Sequence, residues 1–258
     1  MVTGAGRGLG REIAFQLLRH GVGIAALVRD RQRVDEIEAF AAKRRLPFWC
    51  IGADLRDAES ISNAMVNLQK SDCKIDILVN NAAVYLDNPR RGLQNLLSHD
   101  INLLEETLDV NFLGAARLAW GIMPGMIERG FGRIVNVSSG MGRMLDFDSV
   151  GPFYRLSKLA LNGLTLLLAE HGRGRGVLVN AVCPGWINTE MGGARAPRTV
   201  VQGASGVVWA ALLPCSGPTG SLFRDKEPLD WYHASSRDSA HSSSARPCDI
   251  LPAFPVIP

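Results

Sequence analysis

The chain has 258 residues, of which 47% are hydrophobic and 21% charged, with a formal net charge of +3. That is enough chain for one α/β domain with a sizeable core, and so small a charge gives no reason to expect nucleic acid or an anionic membrane as partner. No apolar run approaches the roughly 18 residues that cross a bilayer. The five cysteines (Cys50, Cys73, Cys183, Cys215 and Cys248) are widely spaced without a C-x-x-C, so they make neither a disulfide framework nor a zinc site. A reducing, cytoplasmic setting is the default, with Cys50 and Cys183 as inert core thiols.

In chain order, Thr3 to Gly10 is a glycine-rich turn that feeds a helix over Arg11 to Arg19. Val22 to Val28 is a short apolar run and predicts a buried strand. Asp30 to Arg45 is charged and periodic and predicts a helix. Pro47 to Ala53 reads as a strand, and Asp57 to Lys70 as a helix with Ile61, Met65 and Leu68 at helical spacing. Ile75 to Val79 is a strand, Leu103 to Met123 a long helix, and Arg133 to Val137 a strand. Phe153 to His171 is a helix with Pro152 in its first turn, where proline is tolerated. Val177 to Val182 is a strand, Val200 to Leu213 a helix and Gly220 to Arg224 a last short strand. Continuous apolar strands alternating with amphipathic helices predict a mainly parallel sheet covered on both faces. The segment from His233 to Pro258 carries six serines and four prolines with little periodicity. Residues 232–258 therefore read as a disordered tail. Its His233 and His241 read as solvated side chains and not as metal ligands.

Three signals carry chemistry. In T-G-x-x-x-G-x-G (Thr3, Gly4, Gly8, Gly10) the glycines let the backbone approach a pyrophosphate, and the helix N-terminus behind them offers free N–H groups. Alone it is weak, because many glycine-rich turns bind nothing. Tyr154 and Lys158 lie four apart, on one face of a helix. A nearby ammonium favours the phenolate, which brings a tyrosine closer to useful proton exchange at neutral pH. Alone, that pair is common surface decoration. The run GRIVNVSSG ends a strand in two hydroxyls, Ser138 and Ser139, where an open α/β sheet places its ligand.

Glycine turn, serine pair and YxxxK helix, in that order, resemble the short-chain dehydrogenase/reductase family. The sequence Asn80-Asn81-Ala82-Ala83 is similar to the family's N-N-A-G, with Ala83 replacing the last glycine. Asn111 matches its catalytic asparagine, and Pro184-Gly185-Trp186-Ile187-Asn188-Thr189 its P-G loop. YRLSK, VNAVCPGW and GPTGSLFRD are most similar to carbonyl-reductase-type members. The resemblance covers about Val2 to Trp231.

It implies a single doubly wound Rossmann-type domain over residues 1–231 and an NAD(P)-dependent oxidoreductase that interconverts a carbonyl and an alcohol. Tyr154 would be the general acid/base. Lys158 would lower its pKa and hold the nicotinamide ribose. Ser139 would hydrogen-bond the carbonyl oxygen, and Asn111 would hold a water for proton relay. The cofactor contacts implied are Thr3, Gly4, Arg7, Gly8, Leu9, Gly10, Arg29, Asp54, Leu55, Asn81, Ala82, Tyr154, Lys158, Pro184, Gly185, Ile187 and Thr189, with no metal. At the end of the second strand Val28 stands where an acidic residue would accept the ribose hydroxyls of NAD. Arg29 follows it, and with Arg7 it can clamp a 2′-phosphate, which favours NADP(H) over NAD(H). Asp30 would weaken this by pairing with Arg29. The longer segment Gly140 to Phe153 is expected to shape the substrate pocket, which Met141, Met144, Leu145 and Phe147 would make apolar, while Asp146 and Asp148 read as solvated loop carboxylates with contact to a polar substrate as the alternative.

The resemblance also implies a homo-dimer or homo-tetramer built on the helices Leu103 to Met123 and Phe153 to His171. Only Met1 and Val2 precede the glycine turn, so the first, central strand is expected to be very short, and the reading frame to begin late. The alternative function is accordingly an inactive relative that at most binds nucleotide.

Overall fold

The computed structural model describes residues 1–71, 73–89, 97, 99–144 and 149–231. The expectations for Leu145, Asp146, Phe147 and Asp148, for Cys248, and for the tail 232–258 lie outside these residues.

Eight strands form one sheet in the order β3-β2-β1-β4-β5-β6-β7-β8, where β1 is Val2–Thr3, β2 Ile24–Val28, β3 Phe48–Gly52, β4 Ile77–Asn80, β5 Gly132–Val137, β6 Val177–Val182, β7 Leu222–Arg224 and β8 Glu227–Pro228. All neighbours are parallel except β7 and β8, a short antiparallel pair that sequence patterning did not reveal. Strands β2, β5 and β6 are buried along their whole length, as a sheet covered on both faces requires.

The covering helices are α1 Gly8–Arg19, α2 Asp35–Lys43, α3 Ala58–Gln69, α4 Asn102–Leu108, α5 Gly114–Glu128, α6 Pro152–Gly172 and α7 Val200–Ala211. Two apolar cores result. Ile13, Leu17, Ile37, Ala204 and Val207 of α1, α2 and α7 pack one face of the sheet. Ile61, Leu68, Leu118, Met126, Leu161 and Leu164 of α3, α5 and α6 pack the other.

The central strand β1 is as short as expected, yet it is paired on both sides. Val2 aligns with Ala26 of β2 and with Val79 of β4. The Met1 amino group donates to the Ile77 carbonyl, and the Met1 carbonyl accepts from Val79 N–H at 2.9 Å.

Two helix expectations change. The predicted helix Asp30 to Arg45 opens with a 3₁₀ turn, Arg31–Val34, capped by Asp30, whose carboxylate accepts from Gln32 N–H. The predicted long helix Leu103 to Met123 is two helices joined by a π-helical turn, Asp109–Leu113, and it runs on through Pro124 to Glu128. A π turn inserts one residue into the helical repeat and often marks a functional site. This one contains Asn111. Among the described residues no helix is long and apolar enough to cross a membrane.

Candidate active site

The carboxyl ends of the parallel strands border one continuous cleft of about 1400 Å³. At one end lies the glycine turn between β1 and α1. At the other lies the first turn of α6.

The turn is built for close approach of a phosphate. Gly4 and Gly8 hold φ of +66° and +52°, a left-handed region that favours glycine. A Cβ on Gly10 would stand 2.3 Å from the Gly4 carbonyl oxygen and 2.4 Å from Asn81 Nδ2, so only hydrogen fits there. Helix α1 has no side-chain N-cap and no acidic residue in its first turn. Its free N–H groups and the positive end of its dipole therefore suit an anion. Leu9, Arg29, Asp54, Leu55, Asn81 and Ala82 line the same cleft, as do Pro184, Gly185, Ile187 and Thr189 farther along. These residues fit a nicotinamide dinucleotide. The Arg56 guanidinium holds the Asp54 carboxyl below its ordinary value.

Thr3 is set back from this surface. Its Oγ1 accepts from the N–H groups of Asn81 and Ala82, both at 2.9 Å, and so ties β1 to the loop after β4. Its part is to shape the turn. Arg7 lines the cleft, but its guanidinium is paired with Glu190 of the P-G loop across the mouth. The expected Asp30–Arg29 pair does not form. Asp30 binds Arg33 instead, at 3.2 Å, because the 3₁₀ turn swings Arg33 back toward it. Arg33 lines the cleft and lies against Gly6, so it is a third arginine at this end that sequence reading missed. The basic run Arg29 to Arg33 was its only trace.

At the other end Ser139, Tyr154 and Lys158 come together. The two serines differ in burial. Both border the cleft, but Ser138 is buried and donates to Asn162 Oδ1 at 2.5 Å, whereas Ser139 is half-buried and hydrogen-bonds the Tyr154 side chain. Lys158 is fully enclosed. Its Nζ donates to the Val137 carbonyl at 2.8 Å and lies 5.6 Å from the centre of the Tyr154 ring. Burial lowers its pKa to about 8, so at neutral pH it still carries charge.

Tyr154 departs from expectation. Its phenol is pushed above the ordinary value, first by burial and then by Cys183, while the hydrogen bond with Ser139 pulls it back only in part. With the protein's own groups alone, desolvation of the phenolate is the dominant effect on its pKa. Tyr85 stacks on Tyr154 with ring centres 4.5 Å apart and adds to the enclosure. Cys183 is a buried core thiol, as expected, but it also reaches the cleft. Its sulfur accepts from Gly140 N–H at 3.1 Å and Arg224 Nη2 at 3.2 Å. Cys50 is only half-buried.

Asn111 is buried and faces away from the cleft. Its amide spans Val84, accepting from its N–H at 2.8 Å and donating to its carbonyl at 2.9 Å, and also donates to Ser157 Oγ at 3.0 Å. It thereby clamps the loop after β4 to α6.

A doubly wound parallel sheet whose cleft joins a phosphate-binding glycine turn to a Ser-Tyr-Lys cluster defines a nucleotide-dependent oxidoreductase. Comparison with known proteins agrees. The family model for short chain dehydrogenase matches residues 1–199, and the chain belongs to that family. It is 36% identical over 194 residues to oxidoreductase UcpA of Salmonella typhimurium, covering 74% of this chain and 70% of that one. It is 28% identical to carbonyl reductase [NADPH] 1 of Sus scrofa, covering 90% and 93%. The crystal structure of a short chain dehydrogenase from Burkholderia cenocepacia in complex with NADP superposes with a TM-score of 0.75 at 25% identity, covering 86% of this chain and 94% of that one.

Proposed function

We propose that this chain is an NADP(H)-dependent oxidoreductase that interconverts a small-molecule carbonyl and its alcohol, with residues 1–231 as its nucleotide-binding domain. The observation that carries this reading is the placement of Ser139, Tyr154 and Lys158 at one end of a cleft whose other end is the glycine turn. Bound NADPH would supply the hydride. Ser139 orients the carbonyl oxygen by a hydrogen bond, and Tyr154 gives that oxygen a proton. The phenol is protonated at neutral pH, the state that carbonyl reduction needs, although burial makes it a weaker acid than a free tyrosine. Lys158 holds the nicotinamide ribose and replenishes the proton. Asn111, one residue's reach away through Ser157, braces the turn past which water relays protons to solvent.

Arg29 and Arg33, with Arg7 nearby, take the 2′-phosphate, since planar guanidinium groups match its oxygens. The exposed Trp120 on α5 and Leu167 on α6, at 63% and 70% accessibility, suit a homo-oligomer interface.

The test is a thermal melt with NADPH, with NADH and with neither. At about 100 times its dissociation constant NADPH should stabilise the chain by roughly 2.7 kcal/mol. NADH at the same concentration should do less, and the double variant Arg29→Asp, Arg33→Ala should abolish the difference. Equal or greater stabilisation of the parent chain by NADH would overturn the cofactor assignment. A chain that neither cofactor stabilises would lack the nucleotide site altogether.

A further inference from the structure

Helix α6 carries Tyr154 in its first turn, yet that turn has no local cap. Its N-cap residue is Gly151, at φ +62°, with no side chain to offer, and its first residue is Pro152, which has no N–H. The first free donors are therefore the N–H groups of Phe153 and of Tyr154 itself. Asp87, 66 residues before Phe153 in the loop after β4, answers both. Its Oδ2 accepts from Phe153 N–H at 2.6 Å and from Tyr154 N–H at 3.3 Å. The carboxylate is wholly buried, and its Oδ1 has no hydrogen-bond partner among the described residues. A buried charge with one oxygen unsatisfied is costly. A neutral serine, threonine or asparagine would cap the turn as well.

We propose that Asp87 is a positioning residue for the reaction: it fixes the first turn of α6 so that the Tyr154 hydroxyl stands beside Ser139, and its negative charge bears on how that hydroxyl holds its proton. The same loop brings Tyr85 to stack on the Tyr154 ring, and Asn111 holds it at Val84, so both contacts with Tyr154 come on one clamped segment. The charged and titratable groups around Tyr154 are Lys158 and Arg155 on α6, Cys183 at the end of β6, and Tyr85 and Asp87 on this loop. His99 packs against Phe153 with ring centres 5.4 Å apart. Asp87 is the one carboxylate among those named. Both it and Cys183 disfavour the phenolate, and the hydrogen bond with Ser139 favours it, with Lys158 Nζ 5.6 Å from the ring centre.

The inference rests on Tyr154 as proton donor, so its test includes a readout that needs no turnover. The chain has three tyrosines, Tyr85, Tyr154 and Tyr232. In a Tyr85→Phe, Tyr232→Phe background an ultraviolet titration reports Tyr154 alone. Asp87→Asn keeps an acceptor for the two N–H groups and removes the charge. It should move the Tyr154 titration down. The high-pH limb of the kcat profile for carbonyl reduction should move down with it. A lower kcat with titration and limb both unmoved would reduce Asp87 to a structural cap and overturn the proposal. Should Asp87→Asn not melt cooperatively, Asp87→Ser is read in the same way. Failure of both neutral variants to fold would show that the fold itself needs the charge, which equally overturns it. An inactive parent whose Tyr154 titration still shifts would retain this inference while removing the proposed function.

Discussion

Replacing Tyr154 by phenylalanine should lower kcat for carbonyl reduction by about 10²- to 10⁴-fold, the range that a positioned proton donor contributes. Stability should change by no more than about 1 kcal/mol, because the substitution removes one hydroxyl and one hydrogen bond, the one with Ser139. The ring keeps its stack against Tyr85 and its place over Lys158. The melting shift given by NADPH should also persist, since the glycine turn and the arginines at the far end of the cleft are untouched. Steady-state kinetics and a melt with cofactor check the two halves separately. A variant within about tenfold of the parent would place the proton source elsewhere.

The site that this variant probes is held at a thermodynamic cost. Lys158 sits in full burial with its pKa at about 8, against an ordinary 10.5. Because the folded value is the lower one, the charged form destabilises the fold. The penalty is complete below pH 8, on the order of 3 kcal/mol, and fades as the pH rises from 8 to 10.5. A methionine would fill this position without that penalty. A lysine whose ammonium, among the described residues, hydrogen-bonds only the Val137 carbonyl is the mark of a group kept for chemistry, at the expense of stability.

Much of this was legible because it depends on local chemistry. Strands such as IAALV and VLVNAV are apolar end to end, and only a sheet covered on both faces accommodates them. The glycines of the first turn and the Tyr154–Lys158 spacing are short-range patterns, and the structure places both on one cleft. What was not legible depended on geometry one level higher. Arg33 reads as the outer face of a helix until Asp30 caps the segment as a 3₁₀ turn and brings the guanidinium inward. The π-helical turn leaves no compositional trace, since Asp109 to Leu113 is a plausible α-helical stretch. The upward push on Tyr154 could not be read from its lysine neighbour, because it comes from burial by Tyr85 and by the end of β6, which are distant in sequence. Asp87 carries no motif at all. Its importance follows from the missing caps at Gly151 and Pro152, which becomes visible only when the loop and the helix are seen together.

That loop depends in turn on Asn111, and Asn111→Leu should have the largest effect on stability. The leucine has similar bulk but no polar atoms. It would leave the N–H and the carbonyl of Val84 without their protein partners in a partly buried site and remove the donor to Ser157 Oγ. Each orphaned backbone group costs roughly 1–3 kcal/mol, so the loss should fall near 2–6 kcal/mol. For a domain of this size that corresponds to a melting temperature lower by on the order of 10 °C. The damage should also be directional. Amide hydrogen exchange should quicken first between Val84 and Asn88, and the cap that Asp87 gives to α6 should loosen with it, so that kcat falls further than the remaining folded fraction accounts for. Asn111→Asp, which keeps the acceptor for Val84 N–H but sets a carboxylate against the Val84 carbonyl, should lie between the parent and the leucine variant in stability. A leucine variant that melts with the parent would show that the π-helical turn holds the loop by its backbone path alone, and that the asparagine stands there for another reason.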